Sequence, residues 1–513
     1  MHKQTVILVV LDGWGIGAHD FTNPIYLVNP PNFNYIKHNF PIGALQASGI
    51  SVGLPWGEEG NSEVGHLNMG AGRIIYQNYP RITLAIRNGQ FFQNETIKRA
   101  FDHAKEKNSS VNLIGLLTEA NVHASFEHLK ALIDFADKEN FPKEKLNLHL
   151  ITDGRDSEPE SAMKLIEKLP YREQVASLAG RYYTMDRAKN WTRVQEGYNA
   201  MIGNGPAISD IQKHLQETYD KGLNDEYIVP ALVNPKRPIS DNDSVIFFNF
   251  REDRMKQIVR AFIQKDFKEF PTKKFNNLFI ASMISYDDAF DIPNVFPPEE
   301  IDTPLGKVLS DSGKIQFRVA ETEKYAHVTY FFNGLKEDPY PNEYRVLIPS
   351  QTGQHDEHPE MRAREICSRM VQAIEEKTYD FILANFANAD MVAHTGNFKA
   401  TEEAIRILDE QIGILMKTVL ENDAVMLITA DHGNAEKLIE PLTGEIETKH
   451  DASPVPIYLI GNKYKTENSD GEIHAAERAP MGVLADVSPT VLELMNLPKP
   501  VEMTAQNLLD LLI

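Results

Sequence analysis

Asp12, Ser62, Asp390, His394, Asp431, His432 and His450 are the residues of this chain whose types and settings point first to chemistry. Three carboxylates and three imidazoles are donors enough for two divalent metal ions, with a hydroxyl or a substrate oxygen completing the shells. Two such ions, roughly 4 Å apart, stabilise both the attacking and the leaving oxygen of an in-line phosphoryl displacement. Ser62 lies in GNSEVGHLNMGAGR, residues 60–73, where the glycines permit tight turns and close backbone approach and a helix is expected to begin. Two roles suit a serine there. It is either an N-cap whose oxygen bonds a backbone N–H, or a phosphoryl nucleophile at the anion-favouring end of the helix. Serine is a weak nucleophile near neutral pH, and with no evident Ser–His–Asp triad, metal coordination would have to activate it.

A second set is built on arginine. Arg155, Arg181, Arg187, Arg251 and Arg254, accompanied by His123 and Asp156, fall in the middle of the chain. The planar guanidinium fork suits bidentate contact with carboxylate and phosphate, so the expected target is a small molecule carrying both. Arg251 and Arg254 are expected on one helix face. Taken singly, every one of these residues has a plain structural explanation: Asp12 an N-cap, His394 a satisfied half-buried imidazole, DHG a turn, each arginine a surface side chain. Their recurrence at predicted strand exits is what makes separate accidents a poor account.

The elements that must position them are strand-like apolar runs alternating with helical periodicity from end to end, the pattern of an α/β protein with a parallel sheet covered by helices. In such sheets ligands bind beyond the carboxyl ends of the strands. TVILVVLDG delivers Asp12, FILANFANADMVAHTG delivers Asp390 and His394, AVMLITADHGNAE delivers Asp431 and His432, and KHDASPVPIYLIG sets His450 just before a strand. The carboxylate–imidazole set is split between the two ends and encloses the arginine set, which suggests one domain inserted into another. Joints near Tyr76 and in the proline-rich FPPEEIDTP give 1–76 and 304–513 as a discontinuous metal-binding domain, and 77–303 as the insert. KGLNDEYIVPALVNPKRPISDND reads as a long surface connection. DGWGIG lacks the G-x-G-x-x-G interval, so dinucleotide binding is set aside.

Composition narrows the classes. A chain of 513 residues with 42% hydrophobic and 24% charged residues reads as soluble, globular and multidomain. A net charge of −21 argues against nucleic acid or an anionic membrane as partner, so an anionic substrate needs a local basic cluster. The single Cys367 cannot form an intramolecular disulfide, and no apolar stretch approaches the length of a membrane span; a reducing cytoplasm fits.

LDGWG, GNSEVGHLNMGAGRIIYQ, DGRD, GRYYTMDR, NFREDR, ETEKYAHVTYFFNG, NADMVAHTG and TADHGNAE, in order along nearly the whole chain, resemble the cofactor-independent (2,3-bisphosphoglycerate-independent) phosphoglycerate mutases. The resemblance implies an alkaline-phosphatase-like α/β sandwich with an inserted α/β transferase domain, interconverting 3-phosphoglycerate and 2-phosphoglycerate in glycolysis without 2,3-bisphosphoglycerate. It implies two Mn²⁺ ions, one held by Asp390, His394 and His450, the other by Asp12, Ser62, Asp431 and His432. Other divalent metals suit the same donors on chemical grounds. Ser62 would carry the phosphoryl group and Lys324 would contact it. His123, Arg155, Asp156, Arg181, Arg187, Arg251 and Arg254 would hold the glycerate part, with Asp156 a candidate for proton transfer. A cytoplasmic monomer with a small-molecule substrate is expected. Two places depart from the family pattern: Asp451 in TKHDASPVP, where a more hydroxyl- and asparagine-rich run is usual, and Leu335 after FFNG, where a second glycine is usual.

The alternative is a metal-dependent phosphatase of the same superfamily, which would pass the group from Ser62 to water. The arginine-rich insert argues against it. A mutase for pentose phosphates would lack the carboxylate that calls for so many arginines, and a silent scaffold would not need an intact nucleophile and ligand set.

Overall fold

A computed structural model describes residues 4–513. Its strands, in chain order, are β1 (Val6–Leu11), β2 (Ile42–Gln46), β3 (Val111–Leu117), β4 (Leu146–Thr152), β5 (Val175–Gly180), β6 (Ala231–Leu232), β7 (Ser244–Phe247), β8 (Phe279–Ile284), β9 (Asn294–Phe296), β10 (Gln316–Glu321), β11 (Glu343–Ile348), β12 (Phe381–Phe386), β13 (Val425–Thr429), β14 (Val455–Ile460) and β15 (Gly482–Val483). The chain divides into two compact units, one running to Gln77 and resuming over Glu299–Ile513, the other Asn78–Pro298. The second crossing falls inside the proline-rich run. Glu299 and Glu300 go with the first unit because Arg73 grips both, its Nη1 donating to Glu299 Oε2 at 3.0 Å and its Nη2 to the Glu300 carbonyl at 3.0 Å.

The first unit is built on an eight-stranded sheet in the order β11-β10-β12-β1-β13-β14-β2-β15. β1, six apolar residues all buried, lies between β12 and β13 and is parallel to both. A continuous apolar run is what a strand covered on both faces requires, and each such side chain contributes roughly 1.5–3 kcal/mol on burial. The sheet is not wholly parallel, because β14 runs antiparallel to both β13 and β2. That reversal has a consequence for His450: the residue preceding an antiparallel strand lies at the edge where the parallel strands end, so it joins residues that follow β1, β12 and β13.

The second unit carries a seven-stranded sheet, β6-β5-β4-β3-β7-β8-β9, parallel except for the β5–β6 pair. The segment read as a long surface connection contributes more than surface: it supplies β6, and Asp225 within it is buried, accepting from the backbone N–H groups of Ser161 and Ala162 at 2.7 and 2.8 Å.

Candidate active site

The helix Ser62–Ala71 begins at Ser62, but the serine does not cap it. Asn61 does, its side chain accepting from Val64 N at 2.9 Å. The N-cap explanation of Ser62 therefore fails, and its hydroxyl is free for other partners. These are Asp12 Oδ1 at 3.0 Å, His432 Nε2 at 3.0 Å and Lys324 Nζ at 2.9 Å, all buried. Glycines allow the approach. Gly13 has φ +69°, and a Cβ there would fall 2.7 Å from the Asp390 Cβ; a Cβ on Gly65 would fall 2.7 Å from the Asp431 carbonyl oxygen.

Lys324 Nζ also contacts Asp12 Oδ1 at 2.6 Å and Asp390 Oδ2 at 2.7 Å. Burial alone would lower its pKa, but the carboxylates of Asp12, Asp390 and Asp431 outweigh burial and hold the ammonium above the usual lysine range. The same balance acts on His432: burial opposes its charge, yet Asp431, Asp12 and Asp390 push the imidazole up to about 10. Asp390 is held well below the usual carboxylate range, burial being overcome by Lys324 and by hydrogen bonds from His394 and His450. The cluster draws positive charge inward.

The histidine tautomers say which atoms would receive that charge. His394 Nδ1 lies 2.8 Å from the Thr448 carbonyl oxygen, His450 Nδ1 2.8 Å from that of Gly60, and His432 Nδ1 3.2 Å from that of Gly433. A carbonyl only accepts, so each Nδ1 carries the proton and each Nε2 offers a lone pair when the ring is neutral. His394 Nε2 and His450 Nε2 then face one another at 3.1 Å, and each lies near Asp390 Oδ1, at 3.2 and 3.4 Å. With both rings neutral, three electron pairs at that separation repel unless a proton or a metal cation lies among them. A tetrahedral ion with bonds of ~2.1 Å sets its ligands ~3.4 Å apart, so the donor set fits a divalent metal. Around Ser62 the spacing is similar: His432 Nε2 is 3.4 Å from Asp12 Oδ1 and 3.8 Å from Asp431 Oδ1. Asp431 Oδ2, on the far side, is buried 3.2 Å from His66 Nδ1 without completing a hydrogen bond.

The departure at Asp451 is absorbed locally. Asp451 pairs with Gly433 through its backbone N–H at 3.0 Å, and its side chain accepts from Ser453 Oγ at 2.6 Å and lies 3.2 Å from Lys437 Nζ. Leu335 is not relieved in the same way, for it holds φ +69°, a left-handed backbone that favours glycine.

In the second unit Arg181 is the buried centre. Its guanidinium donates to both Asp153 and Asp156. His123 Nε2 lies 3.8 Å from Asp156 Oδ2 and its Nδ1 3.6 Å from Asp253 Oδ1. Burial, then the charge of Arg181, pushes the His123 imidazole down to about 4. Asp253 gathers the rest: Arg187 Nη1 at 3.0 Å and Arg251 Nε at 3.5 Å. Arg254 donates to the Met185 carbonyl at 3.3 Å; burial, then the charges of Arg181, Arg187 and Arg155, lower its pKa, the mark of guanidinium groups crowded on one another. Arg155 is the outlier, half exposed and 3.7 Å from Glu226. Arg251 and Arg254 do not share a helix face. The helix there is Lys256–Ile263, and both arginines precede it, Arg254 in the turn that leads into the helix and Arg251 in irregular chain before that turn.

Sequence reasoning passed over Asp153, Asp253, His66, Asn385 and Asn434. Asn434 Nδ2 donates to Asp390 Oδ1 at 2.8 Å, and Asn385 Nδ2 to Asp12 Oδ2 at 2.7 Å. Asn385 left a signal, being an amide inside the otherwise apolar FILANF of β12.

A family model described as the metalloenzyme superfamily matches residues 4–499. The 2,3-bisphosphoglycerate-independent phosphoglycerate mutase of Clostridium botulinum is 42% identical over 99% of this chain and 100% of its own. The chain belongs to this family of mutases. The 2,3-bisphosphoglycerate-independent phosphoglycerate mutase 1 of Methanosarcina barkeri is also 42% identical, over 99% of this chain and 98% of its own. Among solved structures, a phosphoglycerate mutase of Leishmania mexicana, studied at low cobalt concentration, aligns with TM-score 0.53 and 28% identity over 99% of this chain and 98% of that one. The chain is accordingly an isomerase that interconverts 3-phosphoglycerate and 2-phosphoglycerate, and a metal-dependent one. No helix among the described residues is long and apolar enough to cross a membrane.

Proposed function

We propose that the isomerisation runs through a phosphoserine at Ser62. The supporting observation is its hydroxyl, free of capping duty and set 2.9–3.0 Å from Lys324 Nζ, Asp12 Oδ1 and His432 Nε2. Ser62 gives up its hydroxyl proton as Oγ attacks phosphorus, the bond from phosphorus to the glycerate oxygen breaks, and that oxygen takes up a proton. The other glycerate hydroxyl then gives up its proton and attacks, the bond from phosphorus to Ser62 Oγ breaks, and Oγ recovers a proton. Lys324 meets the developing charge on the phosphoryl oxygens, a role suited to an ammonium held charged by three carboxylates. Asp12, Ser62, Asp431 and His432 would hold one divalent ion, and Asp390, His394 and His450 the other. Bound there, the ions supply Lewis-acid stabilisation and acidify the serine hydroxyl.

Arg155, Arg181, Arg187, Arg251 and Arg254, with His123 and Asp156, hold the glycerate part, and Asp156 moves the proton between the hydroxyls. Arg181 fixes Asp156 for that task. Mn²⁺ is the proposed metal, and a cytoplasmic monomer the proposed state. Cobalt, the metal named for the Leishmania mexicana structures, also suits oxygen and nitrogen donors of this kind.

The test is product analysis of 3-phosphoglycerate with purified protein and Mn²⁺, with mass spectrometry of the acid-quenched enzyme. 2-Phosphoglycerate and a phosphate on Ser62 are expected. Free phosphate as the main product would make the protein a hydrolase, and turnover by Ser62→Ala would remove the phosphoserine.

A further inference from the structure

His66 lies one turn beyond Ser62 on the same helix and is fully buried. Both of its ring nitrogens are engaged. Nδ1 is 2.9 Å from the Ser62 carbonyl oxygen and 3.2 Å from Asp431 Oδ2; Nε2 is 3.1 Å from Asn385 Nδ2. The same Asn385 nitrogen is 2.7 Å from Asp12 Oδ2. A carboxylate only accepts, so the amide must turn its nitrogen toward Asp12, and the second N–H on that nitrogen is then aimed at His66 Nε2. His66 thus keeps its lone pair on Nε2 and its proton on Nδ1, which donates to the Ser62 carbonyl and lies 3.2 Å from Asp431 Oδ2. The charge on Asp12 orients an amide, the amide selects a tautomer, and the tautomer sets a ring N–H beside a second carboxylate.

Asp12 is thereby held, and Asp431 approached, at its outer oxygen. Asp12 is gripped at Oδ2, which leaves Oδ1 3.0 Å from the Ser62 hydroxyl. Asp431 is approached at Oδ2, which leaves Oδ1 to accept from Gly13 N at 3.2 Å and to face His432 Nε2 at 3.8 Å.

We infer that His66 is a positioning residue which, with Asn385, aims the Asp12 and Asp431 carboxylates at the Ser62 hydroxyl and at the cation held beside it, without being a ligand itself. The inference rests on the ligand roles proposed for Asp12, Ser62, Asp431 and His432. Ligating atoms of Asp12, His66 and Asp431 all lie within 4.8 Å of one another, a spacing that direct coordination would also produce. The commitment of both ring nitrogens decides against it. Outer partners of this kind are worth about 10–100-fold in metal affinity.

The experiment is calorimetric titration of chelator-stripped full-length protein with Mn²⁺, for the wild type, His66→Gln and Asn385→Ala. In both variants two ions are expected, one bound about 10–100-fold more weakly than in the wild type. At saturating Mn²⁺ the KM for 3-phosphoglycerate should match the wild type. Wild-type affinity for both ions in both variants would overturn the inference, even if their melting temperatures fell, since that marks a purely structural role. Outright loss of one ion at millimolar Mn²⁺ in His66→Gln would overturn it in the other direction and make His66 a ligand. If His66→Gln does not fold, Asn385→Ala, at the other end of the contact, carries the test. A wild-type protein that binds fewer than two ions would overturn the ligand assignment first, and the inference with it.

Discussion

Replacing Glu436 with glutamine should stabilise the metal-free protein at pH 8 and do little at pH 5. The carboxyl is buried, its Oε2 accepting from the backbone N–H groups of Gly15 at 3.0 Å and Asn434 at 2.8 Å, while its Oε1 is buried without a hydrogen-bond partner. Glycines make the room. A Cβ on Gly15 would fall 2.3 Å from the Glu436 Cδ, and one on Gly433 2.3 Å from Oε1. Burial, aided by the nearby charge of Asp451, pushes the Glu436 pKa up from 4.5 to about 7. An acid raised on folding contributes its full stability below the unfolded pKa and loses it as pH rises through the folded one. At ~1.4 kcal/mol per pH unit, the charged form costs about 3 kcal/mol at pH 8 and about 1 kcal/mol at pH 5. Glutamine keeps an acceptor for the two backbone donors and sets an NH₂ in place of the charge. Urea unfolding at intervals from pH 5 to 8 should show the gap between variant and wild type widening with pH. A gap that is constant, or that favours the wild type at pH 8, would refute the assignment of a raised pKa to this carboxyl.

Ser62→Ala should abolish turnover yet leave unfolding almost unchanged, whereas Asn61→Ala, which removes the actual cap, should cost about 1 kcal/mol in denaturant titrations. Arg254→Ala should raise KM and lower kcat with metal content intact, and His450→Ala should weaken one metal site; equal metal loss in both, by elemental analysis, would break the division of labour. Leu335→Gly should gain up to about 1 kcal/mol by relieving a left-handed backbone, read as a higher urea midpoint. Activity should fall on acidification more steeply than one proton allows, because Asp390 raises the His394 pKa and the carboxylates raise that of His432, so protonation competes with metal as pH falls. Added Mn²⁺ should move the midpoint to lower pH, and a one-proton limb indifferent to Mn²⁺ would sink that account.

The elements that carry the first set of residues were legible because each is governed by local sequence. β1 is an uninterrupted apolar run ended by Asp12 and Gly13, and β12 and β13 repeat the pattern, so a buried parallel strand with polar residues at its exit follows from periodicity alone. The direction of β14 was not legible, since a strand buried on both faces reads the same whether it pairs parallel or antiparallel. Nor was the place of Arg251 and Arg254. Charged spacing of three suits a helix, but the helix starts only at Lys256, after a turn that no propensity in NFREDR marks.

What remained hidden in the site has one physical origin. A ligand announces itself by residue type, whereas an outer partner is chosen by what the ligand needs on its far side, and that is a tertiary fact. Asn385 belongs to β12 and Asp12 follows β1; only the parallel pairing of those strands, which sets Val10 beside Asn385 and Leu11 beside Phe386, brings the amide to the carboxylate. His66 reaches the same amide from a helix, and Asp431 meets His66 from the exit of β13. Three segments far apart in sequence therefore settle one tautomer. The ligands themselves accept any arrangement that brings their oxygens and nitrogens together, but the arrangement becomes a single one only when a buried ring, engaged at both nitrogens, sits beside one of them and reaches another through an amide.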